Sequence, residues 1–363
     1  MCMTVGRVFR SVALLSVAMF SVATATQPAD PHPAGIDWSP TKSTPSDIDA
    51  AAIARLYEKV TQDPHQDLKS IVILHDGRLL SERYFNGDSA STLHDIRSAT
   101  KSITSLLMGL ALQQDLVHSV EDSIAVYLPN LPRDGKERIT IKDLLNMRSG
   151  LDANDNDAST PGSEVNLDKS TDWMRTVYAV PVSEIPGARY NYCSINAFLV
   201  GAIVENASHE LLDQFAAKRL FGPLGIGATS WRHVPVDRAT GQGNLSITAR
   251  GLAAIGELVR NSGVVAGKQV LNREWVETSL AAQVPISTVD PYAEYYGYMW
   301  YTRAESVGTK QILVHFASGN GGNKVYIVPS LHLVVAITSS AYNTNYGQRR
   351  SHDILLDILA ATR

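Results

Sequence analysis

Hydrophobic and polar residues follow two different rhythms near the start of the chain. Apolar residues in segment 47–62 recur with helical spacing, which predicts a helix with Ser46 or Asp47 as its N-cap. Segment 69–85 instead holds two apolar runs separated by Asp76-Gly77, a dipeptide typical of tight turns. The pattern therefore predicts a helix followed by a β-hairpin.

Helical periodicity dominates the middle of the chain, and strand-like runs dominate its end. Further helices are predicted in residues 97–113, 140–151, 195–207, 211–221, 248–263 and 272–282. The helix at 140–151 begins at a capping threonine and ends at a glycine. Apolar runs bounded by turn residues predict strands at 311–319, 323–330 and 332–340, and a closing helix follows at 351–362.

Strands thus lie at both ends of the chain, with a helical block between them. This order predicts an α/β (α+β) fold, in which an antiparallel sheet formed from both chain ends is flanked by helices and carries an inserted, mainly helical region. We assign one domain to residues 46–363, with its α/β part at about 46–100 and 235–363 and its helical part at about 101–234.

The first residues have the character of an export signal. Arg7 and Arg10 precede a short apolar run, and a small-residue site ends at Ala25, which predicts a signal peptide over 1–25 and a Pro-rich leader over 26–45. Cleavage near Ala25 would give an exported protein, periplasmic or secreted, and would remove Cys2. Cys193 would then be the sole cysteine, so no intramolecular disulfide could form.

Composition narrows the range of partners. The chain is 44% hydrophobic and 19% charged, and its net charge of −4 becomes −6 once Arg7 and Arg10 are removed. This small negative net charge gives no reason to expect nucleic acid as a binding partner. The N-terminal apolar run is too short to act as a stable membrane anchor. We expect a small-molecule substrate, and the sequence leaves a homodimer open.

Ser98 and Lys101 raise a chemical question, because lysine is electrostatically disfavoured near a helix N-terminus. Three residues apart on a helix, the two side chains would share one face. A serine hydroxyl needs a proton acceptor to become a nucleophile, and burial at the positive helix end would favour a neutral lysine. The pair is either an acyl-transfer centre or a plain N-cap beside a stray basic residue.

Two further segments could complete such a centre. Tyr192 stands just before a predicted helix, after a Pro186-Gly187 turn. The strand at 311–319 ends in Ala317-Ser318-Gly319 and leads into Gly321-Gly322, a glycine-rich edge that would let a substrate approach the backbone closely. Taken singly, Tyr192 could be a core tyrosine and the glycine run an ordinary turn.

Other motifs give no support to metal or cofactor chemistry. The segment HELLD from His209 ends in Asp213 where a zinc motif has histidine, and GVVAGKQ from Gly263 is one residue short of a P-loop. We interpret them as a surface helix and a turn, and Cys193 and His315 as packing residues. No metal and no cofactor are therefore expected.

The ordered set of Ser98/Lys101, Tyr192 and the segment 317–322 resembles the penicillin-recognising serine hydrolases. Similar blocks extend over nearly the whole mature chain, among them ITIKDLLNMRSGL, LFGPLGI and YYGYMW. They look most like the branch that contains 6-aminohexanoate-dimer hydrolases and β-lactamase-like esterases. The resemblance implies a β-lactamase/transpeptidase-like fold.

The resemblance also implies roles for individual residues. Ser98 would be the acylated nucleophile, Lys101 its proton acceptor, and Tyr192 the group that protonates the leaving group and activates water. The backbone N–H groups of Ser98 and Asn320 would form the oxyanion hole. Substrate contacts are implied for Ser194, Ala317, Ser318, Gly319 and Gly321.

Two departures from the family pattern shape the hypothesis. Ala317 stands where relatives often have a lysine or histidine that holds a substrate carboxylate, which argues against efficient β-lactamase or DD-carboxypeptidase activity. Ser194 stands where a Y-x-N motif has asparagine.

The leading hypothesis is an exported serine hydrolase that cleaves an ester or small amide through an acyl-enzyme on Ser98, with the loop 152–172 over the pocket. A class C-type β-lactamase or DD-peptidase, and an inactive penicillin-binding-protein-like binding module, remain as alternatives.

Overall fold

A computed structural model describes residues 32–39, 45–234 and 238–362. The signal peptide predicted at 1–25 lies outside these residues, as do residues 26–31 and 40–44 of the predicted leader. No helix in the described part of the chain is long and apolar enough to span a membrane.

An eight-stranded antiparallel sheet forms the centre of the fold. The strands of the described residues are β1 (Leu68–His75), β2 (Arg78–Tyr84), β3 (Leu93–Asp95), β4 (Ser230–Trp231), β5 (His233–Val234), β6 (Arg238–Ala239), β7 (Leu245–Thr248), β8 (Val264–Val265), β9 (Lys268–Gln269), β10 (Val284–Pro285), β11 (Tyr295–Gly297), β12 (Trp300–Val307), β13 (Lys310–Gly319), β14 (Asn323–Val328) and β15 (Leu333–Ser339). The central sheet has the strand order β10-β11-β12-β13-β14-β15-β1-β2, and β3 to β9 form smaller sheets.

The two ends of the chain meet in this sheet, as predicted. Strand β1 pairs with β15 in antiparallel register, so that Ile71 lies opposite Ile337 and Ile73 opposite Val335. Strands β1 and β2 form the predicted hairpin, and both turn residues, Asp76 and Gly77, have positive φ, as a tight hairpin turn requires. Strands β10–β12 extend the sheet beyond the three C-terminal strands that the sequence pattern indicated.

Ten α-helices surround the sheet and fill the inserted region of the described chain. They are α1 (Ala50–Thr61), α2 (Thr100–Gln113), α3 (Ile141–Leu145), α4 (Glu164–Asp168), α5 (Trp173–Ala179), α6 (Ser194–Ser208), α7 (Leu212–Ala216), α8 (Ala249–Arg260), α9 (Arg273–Leu280) and α10 (Tyr346–Ala360). Helix α8 packs on β14 and β15 through Gly256, where a Cβ atom would lie within 2.6 Å of the Val325 and Val334 side chains. The helix thus approaches the sheet more closely than a larger residue would allow.

Two predicted helix boundaries are wrong. Asp49 caps α1, because its Oδ1 accepts hydrogen bonds from the N–H groups of Ala51 and Ala52, so neither Ser46 nor Asp47 is the cap. Thr140 does cap α3, in a reciprocal capping box with Asp143. That helix ends at Leu145, however, because the chain turns at Met147, whose φ is +55°.

Candidate active site

Ser98 lies in a turn that is held firmly in place. It is the middle residue of the 3-10 turn Arg97–Ala99, so the regular helix α2 begins three residues later than the sequence pattern suggested. Arg97 adopts a φ of +51°, which is uncommon for a residue with a side chain. Asp95 stabilises this conformation, since its Oδ1 accepts a 2.8 Å hydrogen bond from the Arg97 N–H and its Oδ2 a 2.9 Å bond from Asn244.

Lys101 is fully buried and connects the predicted catalytic residues. Its Nζ donates hydrogen bonds to Ser98 Oγ at 3.0 Å, to Ser194 Oγ at 3.1 Å and to the Gln242 carbonyl at 2.8 Å. The same Nζ lies 5.2 Å from the centroid of the Tyr192 ring. The structure therefore brings Ser98, Lys101 and Tyr192 together, although 91 positions separate Lys101 from Tyr192 in the sequence.

The charge state of Lys101 differs from the one its burial alone would produce. Desolvation acts to lower the pKa of Lys101, but its interactions with Tyr192, Glu164 and Asp155 outweigh this effect and raise that pKa. Lys101 is thus an ammonium at rest, and it donates to Ser98 Oγ. The sequence-based expectation of a neutral lysine did not include these acidic neighbours.

Glu164 is the neighbour that sequence reasoning missed. It is the first residue of α4, within the polar loop that was expected to overhang the site, and it lines the same cavity as Ser98. Burial is the main factor that raises the pKa of Glu164, while its interactions with Lys101 and, more weakly, with Ser194 act to lower that pKa. Asp155 supports it by accepting a 3.0 Å hydrogen bond from the Glu164 N–H. Glu164 thus interacts electrostatically with Lys101, which is itself hydrogen-bonded to Ser194.

The end of β13 packs directly against the Ser98 turn. A Cβ atom on Gly319 would lie 2.0 Å from the Ile96 carbonyl oxygen, so only glycine permits this approach. Ser318, Gly319 and Asn320 line the cavity. The oxyanion-hole roles of the Ser98 and Asn320 N–H groups remain predictions.

Three of the five predicted substrate contacts are not part of the cavity wall, and one of them, Ser194, is buried and hydrogen-bonded to Lys101. Ala317 is buried opposite Val325 and is not part of the cavity wall, since side chains alternate along β13 and its neighbours Phe316 and Ser318 point to the other face. Gly321 has a φ of +86° and packs against Ala341 and Tyr342. Its conformation serves the turn between β13 and β14.

The cavity above Ser98 has a volume of about 620 Å³ and a strongly polar wall. Tyr192 and Tyr190 contribute aromatic surface, and Asn154, Asp155, Asn156 and Glu164 come from the loop. The remaining charged residues of the wall are Arg189, Asp290 and Lys324. The space is large enough for a small extended molecule with polar ends.

The residues set aside in the sequence analysis have packing roles. Burial raises the pKa of the Cys193 thiol, which disfavours the reactive thiolate. His315 is buried, and its Nδ1 lies 2.8 Å from Thr302 Oγ1. His209 ends α6 in a left-handed conformation and does not lie within a helix. The described residues contain no group of three or more His, Cys, Asp or Glu side chains placed to hold a metal.

Comparison with known proteins agrees with this geometry. The Beta-lactamase family model matches residues 58–360. The chain belongs to this family. The predicted membership of the penicillin-recognising serine hydrolases is confirmed, and with it the expectation of a serine hydrolase.

Several relatives cover most of this serine hydrolase. The 6-aminohexanoate-dimer hydrolase of Paenarthrobacter ureafaciens is 24% identical over 316 residues, which are 80% of this chain and 78% of that protein. A penicillin-binding protein homologue from Caulobacter crescentus superposes with a TM-score of 0.69 at 16% identity, covering 88% of this chain and 99% of that one. A family VIII carboxylesterase gives the same TM-score at 14% identity, covering 88% and 99%. These structural matches confirm the predicted fold.

Proposed function

We propose that the protein hydrolyses an ester or a small amide through an acyl-enzyme on Ser98. The observation that carries this proposal is the convergence of Ser98, Lys101 and Tyr192 at the base of one cavity. Nucleophilic catalysis by serine requires a proton acceptor within hydrogen-bond reach, and Lys101 Nζ lies 3.0 Å from Ser98 Oγ. The named activities of the relatives, on an aminohexanoate dimer and on carboxylic esters, are of this reaction type.

The raised pKa of Lys101 suggests that the lysine and Tyr192 act as a unit. In the reactive state the pair holds one proton fewer than an ammonium and a phenol together. When Ser98 Oγ bonds to the substrate carbonyl carbon, its proton passes to this pair. The pair then protonates the leaving alkoxide or amine as the acyl bond breaks. Water then bonds to the acyl carbon and gives up a proton to the pair. The pair returns a proton to Ser98 Oγ as the acyl–serine bond breaks and the acid is released.

The rest of the site supports acyl transfer of a small polar substrate. The rigid turn at Ser98 and the close packing of Gly319 hold the nucleophile beside the end of β13. Fixed geometry of this kind lowers the entropic cost of reaching the transition state. Charged residues of both signs on the wall favour substrates with polar or charged ends over purely apolar ones.

Labelling with a fluorophosphonate tests the nucleophile. The wild-type protein should become labelled, and Ser98→Ala should not. Ser105→Ala is a matched control, because Ser105 lies on the adjoining helix α2 and its buried Oγ makes no hydrogen bond with the described residues. Equal labelling of the wild type and Ser98→Ala would refute the proposal.

Substrate panels then separate the related activities. Short p-nitrophenyl esters, linear aminohexanoate oligomers and nitrocefin should be compared with the purified protein. Turnover of esters or oligomers well above nitrocefin supports our proposal, and the reverse order indicates a β-lactamase. An inactive binding module would show no burst of product with any activated ester.

A further inference from the structure

A second buried lysine lies in the wall of the cavity that contains Ser98. Lys324 is the second residue of β14 and sits directly opposite Ser318 of β13 in the sheet. Its side chain is almost completely buried, with 2% exposure, yet it belongs to the residues that line the cavity. The neighbouring residues of this strand, from Val325 to Val328, are apolar or aromatic, so a lysine here is out of pattern.

Lys324 lacks the partner that a buried ammonium usually has. A lysine ammonium can donate three hydrogen bonds, but among the described residues only Ser318 Oγ accepts one from Nζ, at 2.7 Å. The nearest aromatic surface is the Phe316 ring, whose centroid lies 4.7 Å away. None of the ion pairs in the described part of the chain includes Lys324, whereas the buried Lys136 is paired with Asp134.

This environment leaves the charged form of Lys324 poorly stabilised. Burial lowers the pKa of Lys324 to about 7, and the more distant Asp290 opposes this effect only partly. A buried charge without a counter-ion is unfavourable, and an anion that reached Nζ would remove the deficit. The cavity gives such an anion access, since Lys324 and Ser98 line the same space.

We propose that Lys324, with Ser318, binds a carboxylate group of the substrate. This inference rests on the proposed acyl-transfer function and names a class of substrate for it: esters or small amides that carry a carboxylate away from the reacting carbonyl. It also weakens the argument from Ala317, which cannot hold a substrate carboxylate as a lysine or histidine often does at this position in relatives. The cation that the sequence lacks at Ala317 comes from the neighbouring strand, through the pairing of Lys324 with Ser318.

Paired esters test the proposal directly. p-Nitrophenyl butyrate and mono-p-nitrophenyl succinate have four-carbon acyl groups, and only the succinate ends in a carboxylate. A second pair, phenyl butyrate and 3-carboxyphenyl butyrate, places the carboxylate on the leaving group instead. Hydrogen bonds to charged groups correspond to about 10- to 100-fold in binding, so Lys324→Met should lower kcat/KM for the charged member of one pair by this factor relative to its neutral member.

The control variant is Lys310→Met, because Lys310 is an exposed lysine on the same strand as Ser318. It should leave the ratio within each pair unchanged. A selective loss in Lys324→Met with either pair supports the proposal and shows which side of the substrate carries the carboxylate. An unchanged ratio in both pairs, or an equal loss for charged and neutral esters, would overturn it, and the equal loss would assign Lys324 a structural role.

Binding without turnover separates this inference from the proposed function. Monomethyl succinate should be titrated calorimetrically into Ser98→Ala and into the Ser98→Ala/Lys324→Met double variant. Affinity at least 10-fold weaker in the double variant supports a carboxylate site even if the wild type hydrolyses none of the esters. Equal affinities would reject the carboxylate site even if Ser98 proves to be the nucleophile.

Discussion

Replacing Glu164 by glutamine should shift the pH dependence of the reaction. The substitution keeps the shape of the side chain and removes its negative charge. Glu164 is one of the groups that raise the pKa of Lys101, so without it the Lys101–Tyr192 pair should lose its proton more readily. The acidic limb of the kcat/KM profile, which reports deprotonation of the free enzyme, should therefore move to lower pH.

The size of the shift follows from the charge interaction between Glu164 and Lys101. Charges shift each other's pKa strongly at separations up to about 6 Å, where two unit charges interact by about 3 kcal/mol at an effective dielectric constant of about 20. The cavity is open to solvent, which screens part of this interaction. If about half of the interaction energy remains after screening, the midpoint of the acidic limb of the kcat/KM profile moves by about one pH unit.

The assay is kcat/KM for a short p-nitrophenyl ester from pH 5 to 11, measured at constant ionic strength and corrected for spontaneous hydrolysis. Glu58→Gln is the control, since Glu58 is an exposed residue of α1, outside the wall of the Ser98 cavity. An acidic limb that stays in place, or moves to higher pH, would contradict the reasoning. A uniform loss of activity with unchanged pH dependence would mean that Glu164 only supports the loop.

Two further predictions concern the packing around the site. Gly319→Ala should lower the free energy of unfolding by about 1 to 3 kcal/mol and reduce turnover. The added Cβ would clash with the Ile96 carbonyl and displace β13 from the Ser98 turn. The control is Gly227→Ala, whose Cβ would meet open space and should change neither thermal stability nor activity. Burial lowers the pKa of His315 to about 4, below its unfolded value of 6.5. Between these two pH values the unfolded state binds more protons than the folded state. The free energy of unfolding should therefore decrease as the pH is lowered through this range, by about 3 kcal/mol in all. Denaturant melts at several pH values should show a shallower fall for His315→Gln, and an unchanged slope would contradict this account.

The architecture could be predicted from the sequence because its pattern is regular. The runs at 69–85 and 323–340 are apolar enough to form central strands, and strands at both ends of a chain pair most simply within one sheet. Thr140 gave a correct helix start because its hydroxyl has a local partner three residues away. The cap of α1 was misjudged, since Ser46, Asp47 and Asp49 are all acceptable caps and the fold decides among them.

The electrostatics of the site could not be predicted in the same way. Glu164 follows a polar loop far from Lys101 in the sequence, and no local pattern indicates that its charge acts on the lysine. Lys324 was within reach of prediction, because the strands at 311–319 and 323–330 form a hairpin that sets Ser318 opposite Lys324. A lysine in an otherwise apolar strand was the available signal.

The two buried lysines of the site show why neighbours decide the chemistry of a residue. Both are almost completely buried, and desolvation acts to lower the pKa of each. Lys101 has Tyr192, Glu164 and Asp155 around it and stays charged, while Lys324 has only the distant Asp290 and loses charge near neutral pH. A lysine whose charge is compensated is held in its charged form, whereas one without compensation gains most from a ligand that brings negative charge. We infer that neighbouring residues offset the cost of desolvating the Lys101 ammonium, and that a carboxylate of the substrate offsets the same cost at Lys324.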